Sequence, residues 1–273
     1  MTSHTLASAA DPGHPDYLDA MLITTVGYLY SIRLPADSHR ELAALYAVIG
    51  CDTVDVVRLT ERLDMYLDDE GLINGQPINP IATILARHFG RTTQPYAGPA
   101  VLTSLGPDGR DRSLSLALRR HVRDLLGPFL SPDQPSPALL APRAQALIDG
   151  RLVPVSRRLA ALYGFEMPLA LTRGVWDECI AATDDTQDTA HAGEHQDGRL
   201  RNLLDTVRTA VGRATSHNPS AGRLGLDLRR TDRSTRHRRT SLVSLVLTCG
   251  PGDDPQPVGT IHLPQEQPST AAA

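Results

Sequence analysis

The chain has 273 residues, a formal net charge of −4 at pH 7 and an isoelectric point near 6.2. This charge excludes a protein that binds nucleic acid with its whole surface, although a local basic patch remains compatible with it. The length allows two domains of ordinary size. The hydrophobic content of 41% fits a soluble globular protein, and the aromatic content of only 4% predicts cores built from Leu, Val, Ile and Ala.

The N-terminal segment shows no secretory signal. Residues 1–16 are polar, and we expect them to be a disordered N-terminus. They lack the basic region and the apolar region of a secretory signal, and the longest apolar run, 21–32, is too short to span a bilayer. The three cysteines are far apart, which is typical of reduced core thiols. The sequence therefore predicts a cytoplasmic protein.

The first predicted domain, residues 17–127, begins with a strand and a helix. Residues 21–34 are rich in Ile, Thr, Val and Tyr, which predicts a single strand. Ser38 and Glu41 have the spacing of a capping box, so we expect a helix that begins with Ser38 as its cap. Gly50 is the expected end of that helix.

The densest local signals lie between Cys51 and Pro80. Leu63, Met65 and Leu67 alternate with polar residues, which predicts a strand with one buried apolar face and one solvated polar face. Asp68 to Gly71 predicts a turn. Because Leu72 and Ile73 resume an apolar run after it, we expect a hairpin or a strand-loop-strand here.

The same stretch ends in a helix start signal. Asn79 is suited to cap a helix and Pro80 to occupy its first position. The polar side chains between the two ends of the stretch are the first place to look for a ligand. The candidate ligand surface consists of Asp64, Tyr66, Asp68 and Asn79.

Carboxylates near this turn raise the question of a metal site. Asp64 and Asp68 with Asp69 and Glu70 offer the hard oxygen ligands that divalent cations prefer. The spacing does not match a calcium-binding EF-hand loop, because Gly71 does not stand where that loop needs its glycine. A solvated strand face is the favoured interpretation, and no metal or cofactor is predicted.

The first domain is expected to end with a strand at 100–103 and a helix over 114–126. Five prolines then fall between 128 and 142, which predicts a stiff, extended linker. This linker is the best domain boundary in the chain.

The second predicted domain covers residues 143–264, and 265–273 is expected to be a disordered tail. Short helices are predicted near 155–163 and after Thr172, with a strand between them at Phe165–Leu171. A polar loop at 184–198 precedes a strongly amphipathic helix. Three alternating or apolar runs, 224–228, 242–248 and 258–263, then predict an antiparallel meander.

Taken together, these elements predict an α+β fold. We expect two small modules, each a mainly antiparallel sheet with packed helices, joined by the Pro-rich linker.

An arginine cluster marks the tip between the first two strands of the meander. Such a projecting ribbon could neutralise phosphates in a nucleic-acid groove or meet an acidic partner. The alternative is an exposed, charge-rich hairpin tip without a binding role. The candidate nucleic-acid residues are Arg229, Arg230, Arg233, Arg236, Arg238 and Arg239.

His191 and His195 have the spacing of a metal-binding pair on a helix. The neighbouring Ala-Gly and Asp-Gly pairs instead favour a loop, where this spacing has no geometric consequence.

Two stretches resemble known families. LYAVIGCDTVDVVRL, LDMYLDDEGLINGQPINPIATIL and GPAVLTS resemble the domain of unknown function DUF3846. MPLALTRGVWDECIA, GRLRNLLDTV and SLVSLVLTCGPGDDPQPVGTIHLP resemble the family DUF6573. Both resemblances imply an origin in actinobacteria or their mobile elements, and neither carries catalytic residues. All 27 basic residues are Arg, which also fits a GC-rich genome.

The sequence thus predicts an accessory protein of an actinobacterial chromosome, plasmid or phage that binds a protein or small-molecule partner. Two alternatives stay open. One is a nucleic-acid-associated protein that uses the arginine hairpin, and the other is a metal-dependent hydrolase that uses Asp64 and Asp68. No nucleophilic or metalloprotease motif supports an enzyme.

Overall fold

The computed structural model describes residues 16–91, 94–181, 189–215, 222–232 and 239–266, and within them it has an α+β fold with two sheets. The strands are β1 (Tyr17–Ile23), β2 (Leu29–Pro35), β3 (Val54–Thr60), β4 (Leu63–Asp68), β5 (Ala100–Leu105), β6 (Asp111–Arg112), β7 (Leu152–Pro154), β8 (Leu169–Thr172), β9 (Arg223–Asp232), β10 (Arg239–Pro251) and β11 (Pro257–His262). The helices are α1 (Ser38–Ile49), α2 (Pro80–His88), α3 (Leu116–Leu126), α4 (Pro142–Ile148), α5 (Arg157–Leu162), α6 (Arg173–Val175) and α7 (Thr189–Thr215). A π-helical turn, Trp176–Ile180, continues α6. No helix of these ranges has the length and apolar character needed to cross a membrane.

The first sheet is antiparallel, with the strand order β2-β1-β5-β4-β3 and with β6 paired to β5. The prediction of one strand over 21–34 was wrong, because the chain reverses there to form the β1–β2 hairpin. The Thr24 hydroxyl accepts a hydrogen bond from the Tyr28 amide at 3.1 Å. Gly27 has a φ of 85°, a conformation that favours glycine. The apolar pattern continues through the turn, which hid the reversal from the sequence.

Both faces of the first sheet are buried. On one face, apolar residues such as Met21, Met65 and Leu102 pack against α2 and α3. On the other face, residues such as Leu22 and Ile32 pack against α1 and α4. The first unit is therefore a sheet between two helical layers, and α4 comes from the part of the chain that follows the Pro-rich segment.

Local capping explains where the helices of the first unit begin. The prediction that Ser38 caps α1 was wrong. The cap is Asp37, whose side chain accepts a hydrogen bond from the Arg40 amide at 3.0 Å. The predicted end at Gly50 is confirmed by its left-handed conformation. Asn79 caps α2, as predicted, through the Ala82 amide at 3.0 Å.

The strand β4 differs from its prediction in two ways. Its hairpin partner is the preceding β3 and not the segment after the turn, where Leu72 and Ile73 are exposed and unpaired with any strand. The predicted solvated face is buried as well, with Asp64 only 2% and Asp68 only 4% exposed. The reason is that α1 covers the same side of the sheet to which both carboxylates point.

The second sheet has the order β7-β8-β11-β10-β9. The predicted meander of β9, β10 and β11 is confirmed, and the parallel pairing of β8 with β11 extends it. The predicted strand at Phe165 begins only at Leu169. The predicted loop at 184–198 is helical from Thr189 onward, and residues 182–188 lie outside the described residues. Apolar side chains of α7 cover one face of this sheet.

The Pro-rich segment packs along the open edge of β2. The Gln134 side chain accepts a hydrogen bond from the Leu29 amide at 2.5 Å and donates one to the Leu29 carbonyl at 3.0 Å. Ser31 forms a parallel bridge with Leu140. The segment then enters α4, which the sequence did not predict, and α4 packs on α1, β2 and β7.

An aspartate of the second sheet caps α4 from a distance of 110 residues in sequence. The Asp253 carboxylate accepts hydrogen bonds from the amides of Arg143 at 2.8 Å and Ala144 at 2.7 Å. The α4 residue before Pro142 offers no side-chain cap of its own. The Arg143 guanidinium extends back to the second sheet, where it donates to the Thr260 hydroxyl at 2.7 Å. The two units are therefore docked through α4.

The turn that carries Asp253 also contacts the β1–β2 hairpin. The Tyr30 hydroxyl donates to the Asp253 carbonyl, and the Gln256 side chain donates to the Thr25 hydroxyl at 3.0 Å. The sequence predicted this segment only as a turn between strands. In the structure it joins the two units.

We expect that Asp253→Ala destabilises the whole chain by about 2 kcal/mol, because it leaves two amides at the start of α4 without a partner. Urea unfolding measures this loss. The control is Asp124→Ala, which removes an exposed carboxylate of α3. Equal unfolding midpoints for the two variants would contradict the docking role of Asp253.

Candidate functional site

A cleft of about 1030 Å³ lies between the two units. The first unit contributes the end of α1 and the turn after β4, and the second contributes α5 with the segment that leads into β8. Because both units form its walls, neither sheet alone could hold the site. The two units that form its walls are docked on each other through α4 and the turn that carries Asp253.

Asp68, a predicted ligand residue, lines this cleft. It stands at the end of β4, and its carboxylate is held by the Gln76 side-chain amide and by the Glu70 backbone amide at 2.9 Å. One donor reaches each carboxylate oxygen, so the group is fixed as an oriented acceptor. The Gln76 side-chain oxygen is buried and has no hydrogen-bond partner among the described residues.

Arg157 faces Asp68 from the second unit. Its side chain is half-buried beside the end of α1, since a Cβ on Gly50 would lie 4.0 Å from its Nε. Burial lowers the pKa of the guanidinium, and the negative charge of Asp68 opposes that shift. Within the described ranges the Arg157 guanidinium has no hydrogen bond and no carboxylate within 4.0 Å. A half-buried, unpaired guanidinium is a strong donor for an anionic group.

The rest of the lining combines charge with an apolar wall. Asp52 and Glu70 stand on the side of the first unit, and Arg158 and Glu166 stand on the side of the second. All four are exposed to solvent. The apolar wall comes mainly from the second unit and consists of Val155, Ala160, Leu162, Phe165, Met167 and Leu169.

Cys51 also lines the cleft and is half-buried. Burial raises the pKa of its thiol to about 12, and the negative charges of Asp68 and Asp52 add to this shift. The group is therefore a protonated thiol at neutral pH and a poor nucleophile.

The other predicted ligand residues do not join Asp68 in the cleft. Asn79 is 0% exposed, and its side-chain amide donates to the carbonyls of Ile23 at 3.2 Å and Gly98 at 2.9 Å. All the polar atoms of Asn79 are therefore used inside the first unit. Its role in the structure is to join α2 to the β1–β2 hairpin.

Asp64 forms an ion pair with Arg58 at 3.1 Å. Asp64 and Asp68 point to the same face of β4, but they are four residues apart, which separates their Cα atoms by about 13 Å. They cannot share one metal ion at this distance. Among the described residues, no group of three His, Cys, Asp or Glu side chains could hold a metal.

Tyr66 belongs to a buried acidic cluster beneath α1. Its hydroxyl donates to the Asp111 carboxylate at 2.6 Å, and the Thr103 hydroxyl donates to the same group at 3.0 Å. Glu41 of α1 lies close enough for the charge of Asp111 to raise its pKa, and one oxygen of its carboxyl group is buried without a hydrogen-bond partner among the described residues. Because two carboxyl groups share this buried site, one of them must hold a proton. The pattern of the capping box had assigned Glu41 to the helix cap instead.

The two strands predicted to flank the arginine cluster, β9 and β10, pair with each other. Arg229 and Arg230 lie near the end of β9, paired with Leu242 and Ser241, and Arg239 begins β10. The Arg229 side chain is exposed. Residues 233–238, with Arg233, Arg236 and Arg238, lie outside the described residues. His191 and His195 fall within α7 and not in a loop, and only their backbone is described.

The sequence did not predict four members of these two polar clusters, namely Arg157, Gln76, Glu41 and Asp111. Their partners lie on elements that are distant along the chain, such as Asp68 for Arg157. Gln76 is the exception, because it lies only eight residues after Asp68 in sequence. Its side-chain amide donates a hydrogen bond to the Asp68 carboxylate.

Each of the two units matches a protein-family model. Residues 19–127 match the family described as Domain of unknown function (DUF3846), and residues 140–267 match the one described as Family of unknown function (DUF6573). These matches confirm both resemblances. No curated protein and no solved structure matches the chain.

The acidic cluster gives a pH dependence. Burial raises the pKa of Glu41 from 4.5 to about 8, and Asp111 adds to the shift. The folded chain therefore holds a proton that the unfolded chain has released, so the contribution of Glu41 to stability is full below pH 4.5 and is lost as the pH rises to about 8. Glu41→Gln keeps a hydrogen-bond donor towards Asp111 without a titration.

We expect Glu41→Gln to match the parent chain near pH 4.5 and to exceed its stability by roughly 2 kcal/mol above pH 8. Urea unfolding across this pH range measures the difference. Glu61→Gln, at an exposed glutamate of the first unit, is the control. A gain that does not depend on pH would contradict the shared proton.

Proposed function

We propose that the chain, which joins a DUF3846 domain to a DUF6573 domain, is a non-enzymatic binding protein that holds a small polar molecule in the cleft between the two domains. The observation that supports this proposal is the unpaired, half-buried guanidinium of Arg157 facing Asp68 across the cleft. Leaving a charged group unpaired in a partly buried place costs free energy. A ligand with a group that pairs with Arg157 recovers that cost.

The dimensions of the cleft support a small molecule. Ligand pockets usually measure about 300–1000 Å³ and combine an apolar lining with a few oriented polar groups. The cleft has a volume of about 1030 Å³, an apolar wall on the second domain and the oriented carboxylate of Asp68. Pockets of this kind occur preferentially between domains.

The arrangement of the polar groups in the cleft favours a binding role over a catalytic one. Cys51 is held as a thiol, and Asp68 already accepts a hydrogen bond at each oxygen. Neither group is arranged as a base beside a nucleophile. We infer an accessory role in an actinobacterial chromosome or mobile element, since all 27 basic residues are Arg and the chain carries both family signatures.

The test is native mass spectrometry of the chain, purified from its own host and mixed with the small-molecule extract of that host. We expect the parent chain to carry the added mass of a small molecule. Ala43→Trp should lose this mass, because Ala43 is exposed on α1 and lines the cleft, so an indole there fills the space.

Leu42→Trp is the matched control, since Leu42 is the exposed neighbour on α1 that does not line the cleft. The control should retain the added mass. A bare mass for the parent chain in the presence of the extract would contradict the proposal, and so would equal retention by Ala43→Trp.

A second candidate function is nucleic-acid binding by the arginine hairpin. Its support is the register of β9 and β10, which brings Arg229, Arg230 and Arg239 to the same end of one long hairpin. Arginines on such a ribbon can pair with successive phosphates. The exposed Arg229 has no ion-pair partner in the described part of the chain.

This candidate predicts salt-sensitive binding to duplex DNA. Replacing Arg233, Arg236, Arg238 and Arg239 with Ser should abolish it, because each lost phosphate contact removes about 0.9 from the slope of log K against log salt. The control carries the same charge change at four exposed arginines outside the hairpin, namely Arg40, Arg62, Arg87 and Arg110. Fluorescence anisotropy at several salt concentrations measures the slope. Absence of binding by the parent chain would exclude this function.

A further inference from the structure

The charges of the cleft restrict the ligand more than its volume does. The lining contains the carboxylates of Asp52, Asp68, Glu70 and Glu166 but only the guanidinium groups of Arg157 and Arg158. A nucleotide or another polyanion would therefore meet mainly repulsive charge. A simple cation would leave the guanidinium of Arg157 unpaired.

The two charges of opposite sign are separated within the cleft. Arg157 and Asp68 influence each other electrostatically, yet they do not come within 4.0 Å of one another. Asp68 is held in place by Gln76 and the Glu70 amide, and the Arg157 side chain lies beside the end of α1. A molecule placed between them must present an anion to one side and a cation to the other.

The shapes of the donors restrict these groups further. A guanidinium offers parallel N–H bonds that match a planar carboxylate. An oriented carboxylate with free lone pairs matches an ammonium group, and Glu70 adds a second carboxylate beside Asp68. In the described part of the chain, the side chains of Glu70 and Asp52 form no hydrogen bond or ion pair of their own.

Apolar surface surrounds this pair of charges. Phe165, Met167 and Leu162 form part of the wall, and Leu162 is 71% exposed. At the turn after β4, beside Asn74 of the lining, Ile73 is 84% exposed. Leu162, Phe165 and Met167 therefore offer apolar surface to the side chains of a ligand in the cleft.

From these features we infer that the ligand is a zwitterionic short peptide with free termini and apolar side chains. Its carboxylate would pair with Arg157 and its ammonium group with Asp68 and Glu70. The cleft exceeds the size that one amino acid needs, which favours a peptide over a free amino acid. This inference rests on the proposed function and specifies the class of ligand for the same cleft.

The test uses isothermal titration calorimetry of the full chain with three matched probes. These are the tripeptide Leu-Ala-Leu, its C-terminal amide and its N-acetyl form. We expect the free tripeptide to bind and each blocked form to bind at least about tenfold more weakly, since each blocked form leaves one charge of the cleft without its partner.

Variants then assign each charge to its partner. Arg157→Gln should weaken the binding of the free tripeptide about tenfold and leave the weak binding of the C-terminal amide unchanged. Glu70→Gln should weaken the binding of the free tripeptide and leave the weak binding of the N-acetyl form unchanged. Glu70 is exposed, so we expect its substitution to preserve the fold. Asp68→Asn removes part of the contact with Gln76, so its peptide binding is compared only after its urea unfolding midpoint has been measured.

Three outcomes would overturn the inference. They are equal binding of all three peptides, no binding of any of them, and tighter binding of adenosine monophosphate than of the free tripeptide. If native mass spectrometry still finds a small molecule that Ala43→Trp excludes, the proposed function survives and only the peptide class fails. If both experiments find nothing in the cleft, the proposed function fails as well.

Discussion

The capping of α4 by Asp253 is the interaction on which the rest of the structure depends. One carboxylate satisfies two amides at the start of a helix that has no local cap, and it does so from the other sheet. A helix start left without partners in a buried place is costly. The turn before β11 must therefore dock on α4 whenever α4 packs against the first sheet.

This arrangement places α4 in the structure of both units. Its Ala144 and Ile148 complete the apolar layer over β1 and β2, while Ala146 packs with Leu152 and Ala170 of the second sheet. The match to DUF6573 begins at residue 140, so α4 belongs to the second matched region while it covers one face of the sheet in the first. The two matched regions therefore share a core, and the cleft with Asp68 and Arg157 lies between the same two units.

The sequence predicted those features that local chemistry decides. Asn79 and Pro80 lie next to the helix they start, and the alternation in β9 to β11 marks strands that pair with their neighbours along the chain. Thr172 likewise caps the short helix that follows it, through the Val175 amide. In each case the residues that form the contact lie close together in sequence.

The missed features depend on contacts between distant residues. α4 was hidden by the prolines that precede it, and Asp253 looked like an ordinary turn residue because its two amide partners are 110 and 109 residues away. Asp64 and Asp68 looked solvated because nothing in the strand itself indicates that α1 covers them. Arg157 looked like one of many surface arginines, since only the docking of the domains sets it opposite Asp68. The candidate site is therefore a consequence of tertiary structure, and only Asp68 among its members was identified from the sequence.

Differential scanning calorimetry of the full chain tests the shared core most directly. If α4 belongs to both units, the chain unfolds in one transition whose calorimetric enthalpy equals its van't Hoff enthalpy. Two separate transitions, or a calorimetric enthalpy well above the van't Hoff value, would show that the domains unfold independently. That result would contradict the account, because a cleft between independent domains would have no fixed geometry for a ligand.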